Sequence, residues 1–398
     1  MTSKTAGSTP PDNPAPQQPE EPEQKPVMPE INQISAQDIA ASLRAGFADF
    51  LARPVMSGFF GLFYRWDSGY FACVASYGYV GQPCDGGSGV ERIAFFPLYP
   101  MLSWAVAWVV SLGAVGLDSI AFGMWLVAAI ASIVATVGVY RIAQHQFDAG
   151  TARRAAALFA FSPYAVFLVA SYSEALYLAG AVWAWHACLR GRYWLVGVLG
   201  IVATASRASG MFLVIALLVL YLVGLKRRGE RFRIVDLIAV GSSGLGVLAY
   251  WVWLYVATGD LLAWFHAQSE GWNRRTRWPW ETLFNQGIHV LREPKLDWQI
   301  QAVLEVVAAI GIAICVVVLA RRKDLGSATL VGTTAASLMT SNSYLSLARN
   351  TLTMFPIFIL LADLTRGRRR RWFWVALWVG CALLLYNTVQ LALGNWAD

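Results

Sequence analysis

Four charged side chains interrupt apolar stretches: Asp67 in "YRWDSGYFACVASYGY", Glu174 in "SYSEAL", Arg207 in "ASRASG" and Arg349 in "SNSYLSLARN". A charge near the middle of a bilayer costs about 2.5–3.5 kcal/mol on insertion scales, and such groups normally face a cavity or water. Their types suit chemistry on an anionic, lipid-borne substrate. Guanidinium groups can clamp a phosphate through charge-assisted hydrogen bonds. A carboxylate can take the proton of an incoming hydroxyl, work typically worth about 10²–10⁴-fold in rate. Each residue also has a plainer account. Asp67 alone could be a helix N-cap or a solvated acid, and Arg207 and Arg349 could snorkel or pair with carboxylates for folding.

The elements that must carry these residues follow from composition. The chain has 398 residues, 57% hydrophobic and only 14% charged, with 18 tryptophans; its mean hydropathy is +0.49. Soluble domains carry about 25% charged residues, so this much apolar surface does not fit one soluble core. Runs such as "SIAFGMWLVAAIASIVATVGVY" are long enough to cross a hydrocarbon layer about 30 Å thick. The expected fold is an all-α polytopic membrane protein. A net charge of +7 would fit a nucleic-acid partner, but the basic residues gather at the ends of apolar runs, where they set membrane orientation. Five cysteines include no CxxC and four histidines show no ligand spacing, so no metal site is expected. Cys73 and Cys84 share one polar segment; they could pair if it faces an oxidising compartment, or stand as two free thiols. Residues 1–34, rich in Pro, Glu and Gln, are expected to form a disordered tail before a membrane domain over 35–398. No apolar segment follows a basic start, so no signal peptide is expected.

Five basic clusters set the topology: Arg141 with Arg153 and Arg154, Arg190 with Arg192, 226–233, 321–323 and 366–371. Short basic loops tend to stay cytoplasmic, so the chain between neighbouring clusters crosses an even number of times. Residues 155–189 are then two helices meeting outside at Glu174. Residues 193–225 form a second hairpin with Arg207 at its tip. Helices of about 14 residues reach only about 21 Å, which puts that tip below the outer surface. Residues 325–365 repeat the pattern around Arg349. Residues 234–320 read as two spans joined by a long outer loop, 258–298. The run 119–140 enters from outside, and 101–117 lies at the interface or re-enters. The tips thus converge on one recessed, extracytoplasmic pocket. The first outer loop, 64–93, reads as carrying an amphipathic helix, with Trp66, Tyr70, Val74 and Tyr77 as one stripe lying on the outer leaflet.

Taken together, "RWDSGYFACVASYGY…ERIAFFPLYP", "FSPYAVFLVASYSEALYL", "ASRASG", "HAQSEGWN" and "SLARNTLTMFPIF" resemble, in order, the motifs of PIG-V-type mannosyltransferases. These are GT-C glycosyltransferases, and the resemblance covers roughly residues 64–365. It implies a GT-C fold with about 9–11 transmembrane helices. It also implies inverting, metal-independent and cofactor-free transfer of a mannosyl residue from a polyprenyl- or dolichyl-phosphate-mannose donor to a lipid-linked glycan, on the extracytoplasmic side. Asp67 matches the essential acid of the family's first outer loop and is the expected catalytic residue. Trp66, Glu91, Tyr172, Glu174, Arg207, Gln268, Trp272, Asn273 and Arg349 are the expected substrate-binding residues. The sequence departs from the family where Arg207-Ala208-Ser209-Gly210 replaces Arg-Ser-Asn-Gly, leaving the asparagine's place unfilled. The expected partners are the donor, the acceptor and membrane lipids, without nucleic acid. A bacterial plasma membrane is the expected location, with the endoplasmic reticulum as the alternative. A flippase for a polyprenyl-linked sugar, or a GT-C enzyme using glucose or arabinose, are the competing functions.

Overall fold

The computed structural model describes residues 61–79 and 90–395, all within one compact unit, 53–398. The expected tail over 1–34 and Cys84 lie outside the described residues. Cys73 is disulfide-bonded. The chain is all-α: among the described residues the only β pairing is a single bridge between Thr276 and Ser341.

The helices are α1 (Asp67–Tyr77), α2 (Leu98–Val110), α3 (Leu117–Gln146), α4 (Ala149–Ala160), α5 (Glu174–Leu189), α6 (Tyr193–Thr204), α7 (Gly210–Arg228), α8 (Ile234–Gly241) and α9 (Leu245–Thr258). They continue with α10 (Ala263–Trp272), α11 (Pro279–Arg292), α12 (Leu296–Arg321), α13 (Leu325–Met339), α14 (Leu347–Asn350), α15 (Pro356–Leu364) and α16 (Arg370–Ala392). Five stretches are long and apolar enough to cross a membrane: Leu117–Gln146, Gly210–Arg228, Ile234–Thr258, Leu296–Arg321 and Gly367–Ala392. Outward-facing Ile133, Val256, Ile310 and Trp378 are each more than half exposed, as spans that meet lipid require. Of the nine to eleven spans expected, these five are the full-length ones among the described residues; α2, α6 and α13 are shorter apolar helices. At 13 residues, α2 reaches only about 20 Å, and it packs along α3.

The hairpin breaks govern where the charges go. α6 and α7 meet at 205–209, as expected, with Arg207 in the turn. The stretch before Glu174 departs from expectation, since no helix runs up to it. α4 ends at Ala160, and 161–173 is irregular backbone with one 3₁₀ turn, Ala165–Leu168. Pro163 has no N–H to donate and biases Ser162 away from helical geometry. Non-helical backbone at membrane depth is tolerated where protein covers it, and Tyr164 through Leu168 are all buried.

Small residues let the site-bearing helices touch. A Cβ added to Gly180 of α5 would sit 2.7 Å from Ala203 N of α6. Gly200 of α6 meets Ser243 in the same way. Thr204 Oγ1 donates to Ser243 O at 2.7 Å, pinning the end of α6 just before Arg207. Such contacts take the place of a hydrophobic driving force between helices in lipid.

Helix α1 corrects the stripe expected from its sequence. Trp66 and Tyr77 are about half exposed, at 48% and 55%, whereas Ser68, Phe71, Ala72, Cys73 and Val74 are buried. α1 packs on α2 and α3, and Phe71 sits edge-on to Phe95 and Tyr99, with centroids 4.9 and 5.0 Å away. Nearly every residue from Tyr70 to Val74 is apolar, so spacing alone cannot single out a face; the neighbouring helices select it.

Candidate functional site

Glu174 opens α5 and is 1% exposed. Its Oε1 takes two guanidinium groups: Arg207 Nη1 at 2.8 Å and Arg349 Nε at 3.3 Å. Arg349 Nη2 also lies 3.3 Å from Asp67 Oδ2. One arginine near the C-terminal end therefore bridges two carboxylates from the N-terminal half of the chain. Arg207 adds a bond to Ser173 Oγ at 3.3 Å. A carboxylate at the first helical residue is favoured by the positive N-terminal end of the helix dipole, and Asp67 and Glu174 each hold that position.

Arg349 is held from several sides. Its guanidinium lies over the Phe167 ring at 4.9 Å and the Tyr172 ring at 5.4 Å, both cation–π distances. Tyr172 is fixed in turn, its hydroxyl donating to Arg65 O at 2.9 Å. The short helix α14 that carries Arg349 starts on a carboxylate of α12: Ala348 N donates to Glu305 Oε2 at 2.8 Å. Trp66, just before Asp67, has φ 51° and ψ −115°. That is a strained backbone for a bulky residue, and it turns the chain sharply into α1.

These groups border a cavity of about 410 Å³, within the usual range for small-molecule sites. Asp67, Arg207, Gln268, Trp272 and Arg349 line it, as do Phe95, Trp264, Arg274, Ser346 and Asn350. Three arginines on its wall against Asp67 and the backing Glu174 leave one positive charge. The rim is stitched to the loop over 258–298: Arg277 N donates to Thr340 O at 2.7 Å and Asn342 N to Arg275 O at 2.9 Å.

The remaining expected residues sit around this centre. Glu174 and Tyr172 back the wall rather than line it. Glu91 lies outside the lining, packed on Gly271 of α10, whose added Cβ would come 3.1 Å from Glu91 Cγ. Together with burial, the negative charges of Glu91 and Asp67 push the Tyr70 phenol above its ordinary value, so Tyr70 stays a neutral hydrogen-bonding group at physiological pH. Asn273 is the left-handed C-cap of α10 (φ 49°), its carbonyl accepting from Asn342 Nδ2 at 3.1 Å. The Trp66 indole donates to Asn395 O at 3.2 Å. Sequence reasoning missed Arg274, Asn350 and Glu305. Arg274 directly follows the quoted HAQSEGWN, and Asn350 is the last residue of the quoted SNSYLSLARN. Glu305 is a lone acid in "QAVLEVVAAIGIAI" and could have been found by the same rule that picked out Glu174. Among the described residues, no group of three or more His, Cys, Asp or Glu side chains comes together; the positive charge at this site comes from arginine.

The profile of the mannosyltransferase (PIG-V) family matches residues 31–245. Among curated proteins, GPI alpha-1,6-mannosyltransferase 2 of Cricetulus griseus is 31% identical over 170 residues, 39% of this chain and 31% of the relative. The proteins of the same name from Homo sapiens and Mus musculus are 31% and 30% identical, each over 42% of this chain and 32% of the relative. The chain thus spans about a third of the length of the curated relatives it matches.

Proposed function

This chain belongs to the PIG-V mannosyltransferase family, and from that premise we propose that it transfers a mannosyl residue from a polyprenyl-phosphate-mannose donor to a lipid-linked glycan at the extracytoplasmic side of its membrane. The observation that carries the reading is the Asp67–Arg349–Glu174–Arg207 chain on the cavity wall. It sets a carboxylate beside guanidinium groups whose surplus positive charge suits a phosphodiester.

The donor enters from the lipid, and Arg207 and Arg349 hold its phosphate, with Arg274 on the same wall. An acceptor hydroxyl attacks the anomeric carbon from the face opposite the phosphate. Asp67 accepts the hydroxyl proton as the new C–O bond forms. The bond from the anomeric carbon to the phosphate oxygen breaks, and its electron pair leaves with the polyprenyl phosphate, inverting the anomeric centre. Arginine stabilises the charge that develops on the leaving phosphate, so the transfer requires no metal ion. Trp272, Phe95 and Gln268 offer the stacking faces and the amide that a hexose needs for orientation.

Purified protein in vesicles, supplied with radiolabelled donor on one face, tests this. Asp67→Asn, checked for wild-type elution and helicity, should transfer about 10²–10⁴-fold more slowly. Transfer at the wild-type rate would remove Asp67 from the chemistry, and donor relocation without transfer would make the protein a flippase.

A further inference from the structure

α5 runs away from the cavity, and His186 lies twelve residues, or about 18 Å, along it from Glu174. At that far end is a second cleft, of about 620 Å³. Arg141 and His145 of α3, Trp183 and His186 of α5, and Arg190 and Arg192 of the following turn line it. No carboxylate lines the cleft. Among the described residues the three arginines form no ion pair, and Arg141 bonds only to Gln144 Oε1, at 3.3 Å.

The imidazoles of His145 and His186 face each other edge-on, with centroids 6.1 Å apart. His186 Nδ1 is buried and has no hydrogen-bond partner among the described residues. The Trp183 N–H is already spent on Val134 O at 3.0 Å. Leu195 and Leu199 of α6 supply an apolar floor on the membrane side. Three guanidinium groups without a counter-ion repel one another, and an oxyanion relieves that repulsion. Because the cleft sits at the end of the bilayer-length helix α3, its basic rim falls at headgroup depth and its floor among acyl chains.

We infer that this cleft is a binding site for a phosphate group, separate from the cavity that holds Asp67, with an anionic phospholipid headgroup or free phosphate as the source. The inference does not depend on the sugar-transfer reading. Native mass spectrometry of the full chain, offered phosphatidylglycerol or phosphatidylcholine, reads lipid retention. Thermal unfolding in lipid-free detergent, with and without inorganic phosphate, reads the free anion. Selective retention of phosphatidylglycerol identifies the lipid source; stabilisation by inorganic phosphate alone identifies the free one. In either case Arg190→Gln/Arg192→Gln should weaken the effect about tenfold or more. Should that double variant fail to fold, Arg141→Gln, on a different helix, should weaken it about fivefold. Equal retention of both lipids with no response to phosphate, or variants that bind like wild type, would overturn the site.

Discussion

Glu174→Gln removes one negative charge and almost no volume, from a position 1% exposed where two guanidinium groups converge at 2.8 and 3.3 Å. At an effective dielectric of about 20, one such pair is worth roughly 5 kcal/mol before desolvation is counted. Breaking a buried pair by truncating one partner typically costs about 3–5 kcal/mol, because the remaining charge stays buried. Arg207 is 18% exposed and Arg349 keeps Asp67, so the lower end applies and the expected loss is about 3 kcal/mol. Thermal unfolding in detergent measures it. A double-mutant cycle with Arg207→Gln isolates the pair, with an expected coupling of about 2 kcal/mol. Transfer assays should show the donor KM rising, since both arginines proposed to hold the phosphate lose their common anchor. If Glu174→Gln unfolds within about 0.5 kcal/mol of wild type and the cycle closes additively, the charge chain does not organise this site.

Three further outcomes are expected. Gly180→Ala forces a methyl into a 2.7 Å gap against α6; it should cost about 1–3 kcal/mol in thermal unfolding and lower transfer by separating Glu174 from Arg207. Glu305→Gln weakens the charge-assisted bond that starts α14, so stability should fall by about 1.5–3 kcal/mol and donor KM should rise although Glu305 is not among the cavity-lining residues. In the loop over 258–298, the His266 ring at 2.7 Å and the Leu262 N–H at 2.8 Å hold the Asp260 carboxylate below its ordinary 3.8. A depressed carboxylate stabilises fully above its ordinary value and loses that contribution as pH falls through its lower folded value. Asp260→Asn should therefore lower α10 protection near neutrality in hydrogen exchange and flatten its fall below about pH 4, so that the variant and wild type converge in acid.

Much of the site was legible because a membrane makes charge conspicuous. Asp67, Glu174, Arg207 and Arg349 stood out as polar interruptions of apolar runs, and the break at 205–209 followed from the same pattern. The stripe on α1 was misread because hydrophobic periodicity carries little information where most residues are apolar. The helix end at Ala160 was missed although Ser162-Pro163 announces it, since apolar length outweighed the proline.

Sequence by itself determined an all-α membrane chain, the hairpin that turns at Arg207 and the short list of charged residues that need a cavity, because a bilayer penalises each unpaired charge wherever it occurs. Only the tertiary structure decided that Arg349 reaches Asp67, 282 residues away, that Glu174 lies between two arginines, and that Glu305 fixes the turn carrying one of them. Pairing depends on which helix ends meet, and that is set by close glycine contacts and packed side chains rather than by any local pattern.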